Sequence, residues 1–233
     1  MIYRLLKRAF DAFCSGIILL VMAPVFLIIV IGIKLSSPGP VFYISERMGR
    51  KGRKFKMYKF RSMHIKAEGA VENKYLVNND RIFPFGSFLR KSKLDEFPQM
   101  LNVFLGHMSF VGPRPYPKPA FDRLYSDASE KVLSVRPGLA CLDSLYDYAH
   151  GDLFVSDAEM YKEKIMPVRT ELAKLYIEKK SFKMDFHCIF RTVMLIFQIV
   201  VLKKKKFELT EFEKEAQNRV LRVQKYNSQK VEG

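Results

Sequence analysis

Residues 16–33 read GIILLVMAPVFLIIVIGI, and the way this stretch meets its own proline decides the fold. No charged side chain falls between positions 12 and 33. A bilayer is crossed by about 20 apolar residues, whereas the core of a cleaved secretory signal runs to about 7–15 and is followed by small residues. No such cleavage pattern follows here, so the segment is expected to be a retained membrane element. Pro24 lies near its middle. A proline inside a helix removes one backbone hydrogen bond and clashes with the preceding turn, so it kinks or breaks the helix.

The flanks carry the second clue. Arg4, Lys7 and Arg8 precede the segment, and Lys34, Arg47, Arg50, Lys51 and Arg53 follow it. Basic residues collect on the cytoplasmic side of a membrane. With both flanks basic, a single span has no preferred orientation, while a helix–break–helix that enters and leaves one leaflet satisfies both ends. A kinked single-pass anchor and a re-entrant hairpin both remain open from these residues alone. A second surface contact is suggested by VMLIFQIVVL at 193–202, too short to span, which runs into four lysines at 203–206. An apolar helix end followed by lysines suits docking on anionic lipid, and equally suits a core helix followed by a solvated charge run.

The rest of the chain bounds the class. Of 233 residues, 48% are hydrophobic and 27% charged, which allows a core and excludes a bundle of membrane spans. The formal net charge of +16 calls for an anionic partner. A nucleic-acid-binding protein would not need the apolar segment, so nucleic acid is not expected as a partner. Cys14, Cys141 and Cys188 are odd in number and far apart, which suits free thiols in a reducing compartment. The four histidines show no metal-ligand spacing, and there is no Walker loop and no GxGxxG fingerprint.

Three parts are expected: a membrane anchor over residues 1–35, a cytoplasmic domain over 36–202, and a mixed-charge tail over 203–233, either a frayed helix or disordered. SSPGP at 36–40 is a turn-rich joint. Short strands at 41–44 and 54–63, with GRKG at 49–52 between them, predict a β-hairpin. Residues 65–80 are polar and read as loop or short helix. Helical spacing recurs over 83–91, 97–105, 120–135, 157–178 and 185–202, with a proline-rich extended loop over 111–119. The class is α+β with helix dominant.

Three patches draw attention as chemistry. LDEFPQ at 94–99 places Pro98 near a helix start, which puts Asp95 at or near an N-cap. Unpaired amides and the helix dipole favour a charged carboxylate there, as a nucleophile or metal ligand requires. An ordinary capping aspartate beside an exposed glutamate fits the same letters. GPRP at 112–115 sets Arg114 between Pro113 and Pro115. A rigidly held guanidinium makes a bidentate phosphate clamp, and the same pattern also makes a rigid surface loop. Lys56, Lys59, Arg61 and Arg90 form a basic set suited to phosphate-rich ligands, although any basic protein carries some.

Taken in order, these residues resemble the bacterial sugar transferase family, the monotopic phosphoglycosyl transferases. The likeness runs from about Arg4 to Leu202. It comprises Arg8, Asp11 and Pro24, then SPGPVF at 37–42, ERMG at 46–49, KFRSM at 59–63, LRKSKLDEFPQ at 89–99, Asn102-Val103, Gly106, MSFVGPRP at 108–115 and RPG at 136–138. The resemblance implies that Asp95 and Glu96 form the catalytic dyad and are the metal ligands for Mg2+, with Glu96 helping to hold the metal or to position the acceptor. Arg114 with its flanking Pro113 and Pro115, Arg61 and Arg136 are expected to serve the substrate phosphates, and Arg90 and Lys59 to orient the dyad or the phosphates. It further implies a hairpin that does not cross the bilayer, at the cytoplasmic face of the bacterial inner membrane. The partners implied are a UDP-sugar, undecaprenyl phosphate and anionic lipid, and a homodimer is allowed for. The implied reaction passes a sugar phosphate through Asp95 to the lipid, with UMP leaving, as the first membrane step of a surface glycan.

The chain departs from the family after Arg136-Pro137-Gly138. A glycine-rich stretch ending in Gln-Val-x-Gly-Arg is usual there, and LACLDSLYDYAHG stands at 139–151 instead. Lys93 replaces a small hydroxyl residue and His107 an acid. A catalytically silent membrane scaffold is the alternative that the altered 139–151 stretch alone supports; the intact Asp95-Glu96 pair opposes it.

Overall fold

The computed structural model describes residues 2–65, 81–125, 129–151, 158–204 and 206–231. Most of the polar 65–80 segment, the junction at 126–128 and the start of the 157–178 helix therefore lie outside the described residues. The chain forms two compact units, residues 1–47 with 54–108, and residues 48–53 with 109–233.

The first unit is built around α1 (Ile2–Ser36), a 35-residue helix with Pro24 inside it. The expected interruption at Pro24 is absent as a gap in the helix. Proline costs the hydrogen bond to the carbonyl one turn back, but a wholly apolar segment has no better way to satisfy the remaining backbone groups than to stay helical. Only 11% of its most apolar stretch is buried, unlike the core helix of a soluble domain, so its length, composition and exposure make it a membrane-associating helix.

Both ends of α1 are nevertheless held by polar structure of the same unit. The predicted hairpin forms from β1 (Phe42–Met48) and β2 (Lys54–Phe60), paired across a turn in which Lys51 and Gly52 take positive φ. Helices α2 (Pro84–Lys91) and α3 (Gln99–Phe104) complete the unit. Near its start, α1 sends Arg8 to the end of α3: Nη1 donates to the Val103 carbonyl at 2.8 Å and Nη2 to that of Phe104 at 2.6 Å. The Val103 carbonyl also accepts from the Gly106 amide at 3.0 Å, and a cation at this helix end is favoured by the dipole. Near its other end, Ile29 and Ile33 are buried with Phe60, Phe83 and Leu89. A Cβ on Gly32 would stand 2.5 Å from the Phe85 ring, so the ring of α2 packs directly against the helix backbone there.

In the second unit, β3 (Ser109–Val111) and β4 (Gly138–Ala140) make a two-stranded parallel pair, Ser109 opposite Gly138 and Val111 opposite Ala140. Two short helices, α4 (Lys118–Leu124) and α5 (Ser129–Leu133), lie between these strands in sequence. The atypical stretch becomes β4 followed by α6 (Leu142–His150). A helical rod follows, from α7 (Ala158–Met160) through a π turn (Tyr161–Ile165) to α8 (Met166–Lys179). Then comes α9 (Phe182–Val200), N-capped by Ser181, whose hydroxyl accepts from the Met184 amide. Leu172, Ala173, Leu175, Cys141 and Cys188 are fully buried at the centre of this unit's core.

The tail folds as α10 (Glu211–Val231), where either a frayed helix or disorder was expected. A capping box starts it, with Glu213 accepting from the Thr210 amide at 2.6 Å. Ala216 is fully buried in the core, and Lys179–Glu215 (2.6 Å) and Arg219–Glu178 (2.9 Å) bind α10 to α8. Its mixed charge is thus one face of a packed helix.

Candidate active site

Asp95 and Glu96 lie in a 3-10 turn, Leu94–Glu96, entered through Lys93 in the left-handed region (φ 59). The turn closes tightly, the Glu96 amide donating to the Lys93 carbonyl and the Phe97 amide to that of Leu94, both at 3.2 Å. The N-cap of α3 is Pro98, with no side-chain cap. The expected capping role for Asp95 is therefore corrected: it precedes the helix by a turn, and the neighbouring amides are spent on the 3-10 bonds.

The environment of Asp95 also differs from the expectation of an easily ionised group. Burial raises its pKa first, and the adjacent Glu96 charge raises it further; Lys59, Lys93 and Arg90 pull it down. Two neighbouring carboxylates that resist ionising together, ringed by three cations, make a place where negative charge is both concentrated and countered. Lys59 Nζ donates to Glu96 Oε1 at 2.6 Å, with the two side chains 19% and 18% exposed. At that shielding the pair is screened less than a surface ion pair, and it fixes Glu96 beside Asp95.

The scaffold that aligns the two halves of this pair is Asn102. It is fully buried, its Nδ2 donates to the Lys56 carbonyl at 2.7 Å, and its Oδ1 accepts from the Tyr58 amide at 3.1 Å. Asn102 thus completes the edge of β2 with its side chain and pins α3, just after the dyad, to the strand that carries Lys59. Its motif is visible in the sequence; its role is not, because nothing local marks an asparagine as the partner of a distant strand edge.

The basic set divides. Lys59 and Arg90 face the dyad, whereas Lys56 is exposed. Arg61 is buried at 5% exposure. Its Nε donates to the Pro40 carbonyl at 2.6 Å, Nη1 to Ser37 Oγ at 2.8 Å and Nη2 to the Ser37 carbonyl at 2.7 Å. The structure therefore places it as the tie between β2 and the joint that leaves α1.

Arg114, Pro113, Pro115 and Arg136 belong to the second unit. Pro113 and Pro115 are buried and Arg114 is half-buried between them. The loop is wired to β4 on both sides, the Gly112 amide donating to the Ala140 carbonyl at 2.9 Å and the Gly138 amide to that of Pro113 at 3.0 Å. A Cβ on Gly112 would lie 2.3 Å from the Arg136 carbonyl, and one on Gly138 would lie 2.2 Å from the Gly112 amide nitrogen. Only two glycines let the strands meet this closely, which explains why VGPRP and RPG occur together.

Among the described residues no group of three or more His, Cys, Asp or Glu side chains converges as a metal cage. Two carboxylates are still the donor set Mg2+ prefers, since it keeps several waters and completes its shell with substrate phosphates.

Comparison with known proteins now bears on this site. The chain is 36% identical over 193 residues to the UDP-glucose:undecaprenyl-phosphate glucose-1-phosphate transferase of Escherichia coli (strain K12), covering 82% of this chain and 40% of that protein. It is 32% identical over 197 residues to the UDP-N-acetylgalactosamine-undecaprenyl-phosphate N-acetylgalactosaminephosphotransferase of Aeromonas hydrophila, covering 84% and 44%. It is 38% identical over 151 residues to the exopolysaccharide production protein ExoY of Rhizobium meliloti (strain 1021), covering 58% and 66%. The chain thus spans less than half the length of the first two relatives. The family model described as bacterial sugar transferase matches residues 2–199, and the chain belongs to that family.

Proposed function

We propose that the chain transfers a sugar-1-phosphate from a UDP-sugar to undecaprenyl phosphate and so begins the assembly of a surface polysaccharide. The observation that carries this reading is the half-buried Asp95 beside a pinned Glu96 and three cations. Asp95 attacks the sugar-bearing phosphorus of the UDP-sugar. The bond from that phosphorus to the bridging oxygen breaks, and UMP leaves with that oxygen. The phosphosugar stays on the Asp95 carboxylate until an oxygen of the lipid phosphate attacks the same phosphorus. Cleavage of the acyl-phosphate bond between that phosphorus and the Asp95 oxygen releases the lipid diphosphate sugar and restores the carboxylate.

Lys59, Lys93 and Arg90 lower the charge penalty of bringing a diphosphate to two carboxylates. Lys59 holds Glu96, and Arg114, set between Pro113 and Pro115, is a phosphate-binding residue of the second unit. Asp95 and Glu96 would hold Mg2+, which would offset charge on the diphosphate. Purified protein in detergent with Mg2+ and undecaprenyl phosphate is expected to release UMP from one member of a UDP-sugar panel. Release should need the lipid for multiple turnovers and should cease on chelation. Silence across the panel in folded protein would favour the scaffold reading. The relatives' names differ in their sugar, so the panel includes UDP-glucose, UDP-galactose and both UDP-N-acetylhexosamines.

The same reading makes α1 a re-entrant anchor on the cytoplasmic face of the inner membrane. A straight helix would separate residues 8 and 36 by roughly 40 Å, more than a hydrocarbon core of about 30 Å. Yet Arg8 binds α3 while Ile29, Ile33 and Gly32 pack on β2 and α2 of the same unit. A helix bent at Pro24 in one leaflet lets one polar unit hold both ends. On α9, Phe186, Phe190, Val193 and Phe197 are exposed and Lys203 and Lys204 follow, which suits docking on anionic lipid. Single cysteines at Ile2 and Lys51, in a Cys14→Ala background, are both expected to react with a membrane-impermeant maleimide only in inverted vesicles. Labelling of Ile2→Cys from the outer face would mean that α1 crosses.

A further inference from the structure

The segment that departs from the family, residues 139–151, reaches the loop of Arg114 through one side chain. Asp143, in the first turn of α6, is fully buried. Its Oδ2 accepts from the backbone amide of Arg114 itself at 3.4 Å. The thiol of Cys141, fully buried beside it, is the carboxylate's other hydrogen-bonding neighbour. A fully buried carboxylate is costly, and such a group calls for a reason other than stability.

Its principal counter-charge is Arg169 of α8, itself 7% exposed. Arg169 is locked in turn. Its Nη1 pairs with Asp147 Oδ1 at 3.0 Å and donates to the Tyr161 hydroxyl, and its Nη2 donates to the Tyr116 hydroxyl at 2.6 Å. Tyr116 lies two residues beyond Arg114, so the network grips the proline-flanked loop at two points.

We infer that Asp143 is a positioning residue for Arg114, with Arg169 as its fixed counter-charge. In this chain a buried carboxylate on α6 orients the loop that meets the diphosphate of the sugar donor. The inference rests on the reading of Arg114 as a phosphate-binding residue. It assigns the atypical segment a function: Asp143 aims the loop, and α6 carries Asp143. The outer part of α6 is held by α10, where His150 Nε2 lies 3.8 Å from Glu213 Oε2 and Gln217 Nε2 lies 3.5 Å from the Tyr146 hydroxyl. That helix, Glu211–Val231, falls beyond residues 2–199, the region matched by the family model.

The test is the affinity of the full chain in detergent for UDP with Mg2+, by titration calorimetry, across a double-mutant cycle. Asp143→Leu removes the acceptor at similar volume and leaves Arg169 paired with Asp147. Arg114→Ala and Asp143→Leu are each expected to weaken UDP binding roughly tenfold, the effect of losing one hydrogen bond to a charged group. The double variant is expected to bind no more weakly than Arg114→Ala, because Asp143 acts only through that loop. A purely structural aspartate would give losses that multiply, and that outcome overturns the inference. Should the leucine variant fail to melt cooperatively, Asp143→Asn takes its place. It keeps an amide oxygen for the Arg114 N–H, so it should weaken binding about threefold and likewise add nothing to Arg114→Ala. Wild-type affinity in the Asp143 variants beside a weakened Arg114→Ala defeats this inference alone. Wild-type affinity in Arg114→Ala defeats the reading of Arg114 and this inference with it.

Discussion

Asp95→Asn is expected to lower UMP release by at least about 10³-fold while leaving a folded protein that is more heat-stable at neutral pH. Removing the attacking carboxylate leaves binding and charge compensation but no nucleophile, and the amide cannot form the acyl phosphate. The gain in stability follows from the sign of the shift. Burial and Glu96 raise the folded pKa of Asp95 above its unfolded value. At neutral pH the carboxyl is charged in both states, and the folded state carries the penalty. At acid pH both states are protonated and the penalty disappears. The Tm advantage of Asp95→Asn should therefore grow from acid to neutral pH. Wild-type turnover should fall on acidification, because a protonated Asp95 cannot attack and burial with the Glu96 charge raises its pKa. An Asp95→Asn protein that turns over normally, or is less stable at every pH, would remove Asp95 from the chemistry.

Arg61→Ala is expected to destabilise the first unit by about 3 kcal/mol, seen as a Tm lowered on the order of 10 °C. The guanidinium satisfies the carbonyls of Ser37 and Pro40 and the Ser37 hydroxyl in a buried setting. Its loss strands those groups. Arg61→Lys should recover little, since a single ammonium cannot match a fork directed at three oxygens. The outcome separates two roles. A phosphate-binding Arg61 would show a raised KM for the sugar donor with an unchanged Tm, whereas a structural tie shows a lowered Tm with a near-normal KM in the molecules that remain folded.

The sequence resolved some parts of this molecule better than others, for physical reasons. The apolar run at 16–33, the hairpin around GRKG and the helix ends marked by proline follow from local chemistry, and all appear in the structure. At Pro24 the helix continues, because a proline removes one hydrogen bond and the flanking apolar residues have no competing conformation; the sequence leaves open both a kink and a re-entrant bend there. Asp95 misled: a carboxylate just before a helix suggests a cap, but Lys93 in the left-handed region starts a 3-10 turn that consumes the amides first. The parallel pairing of Ser109 with Gly138 joins residues far apart in sequence and leaves no periodic trace. Arg61 and Arg169 illustrate the same limit. A basic residue looks alike whether it meets a ligand or a buried carbonyl, and only tertiary placement decides. The helix at 211–231 looked like a solvated tail because its single buried alanine, Ala216, is lost among charges.

The most direct measurement of the central claim is the intact mass of the protein after incubation with the productive UDP-sugar and Mg2+, in the absence of lipid acceptor. The mechanism predicts one equivalent of UMP released and a mass increase equal to one sugar phosphate, mapped to the peptide containing Asp95 and discharged by undecaprenyl phosphate. No adduct, with UMP appearing only when lipid is present, would contradict a covalent route through Asp95.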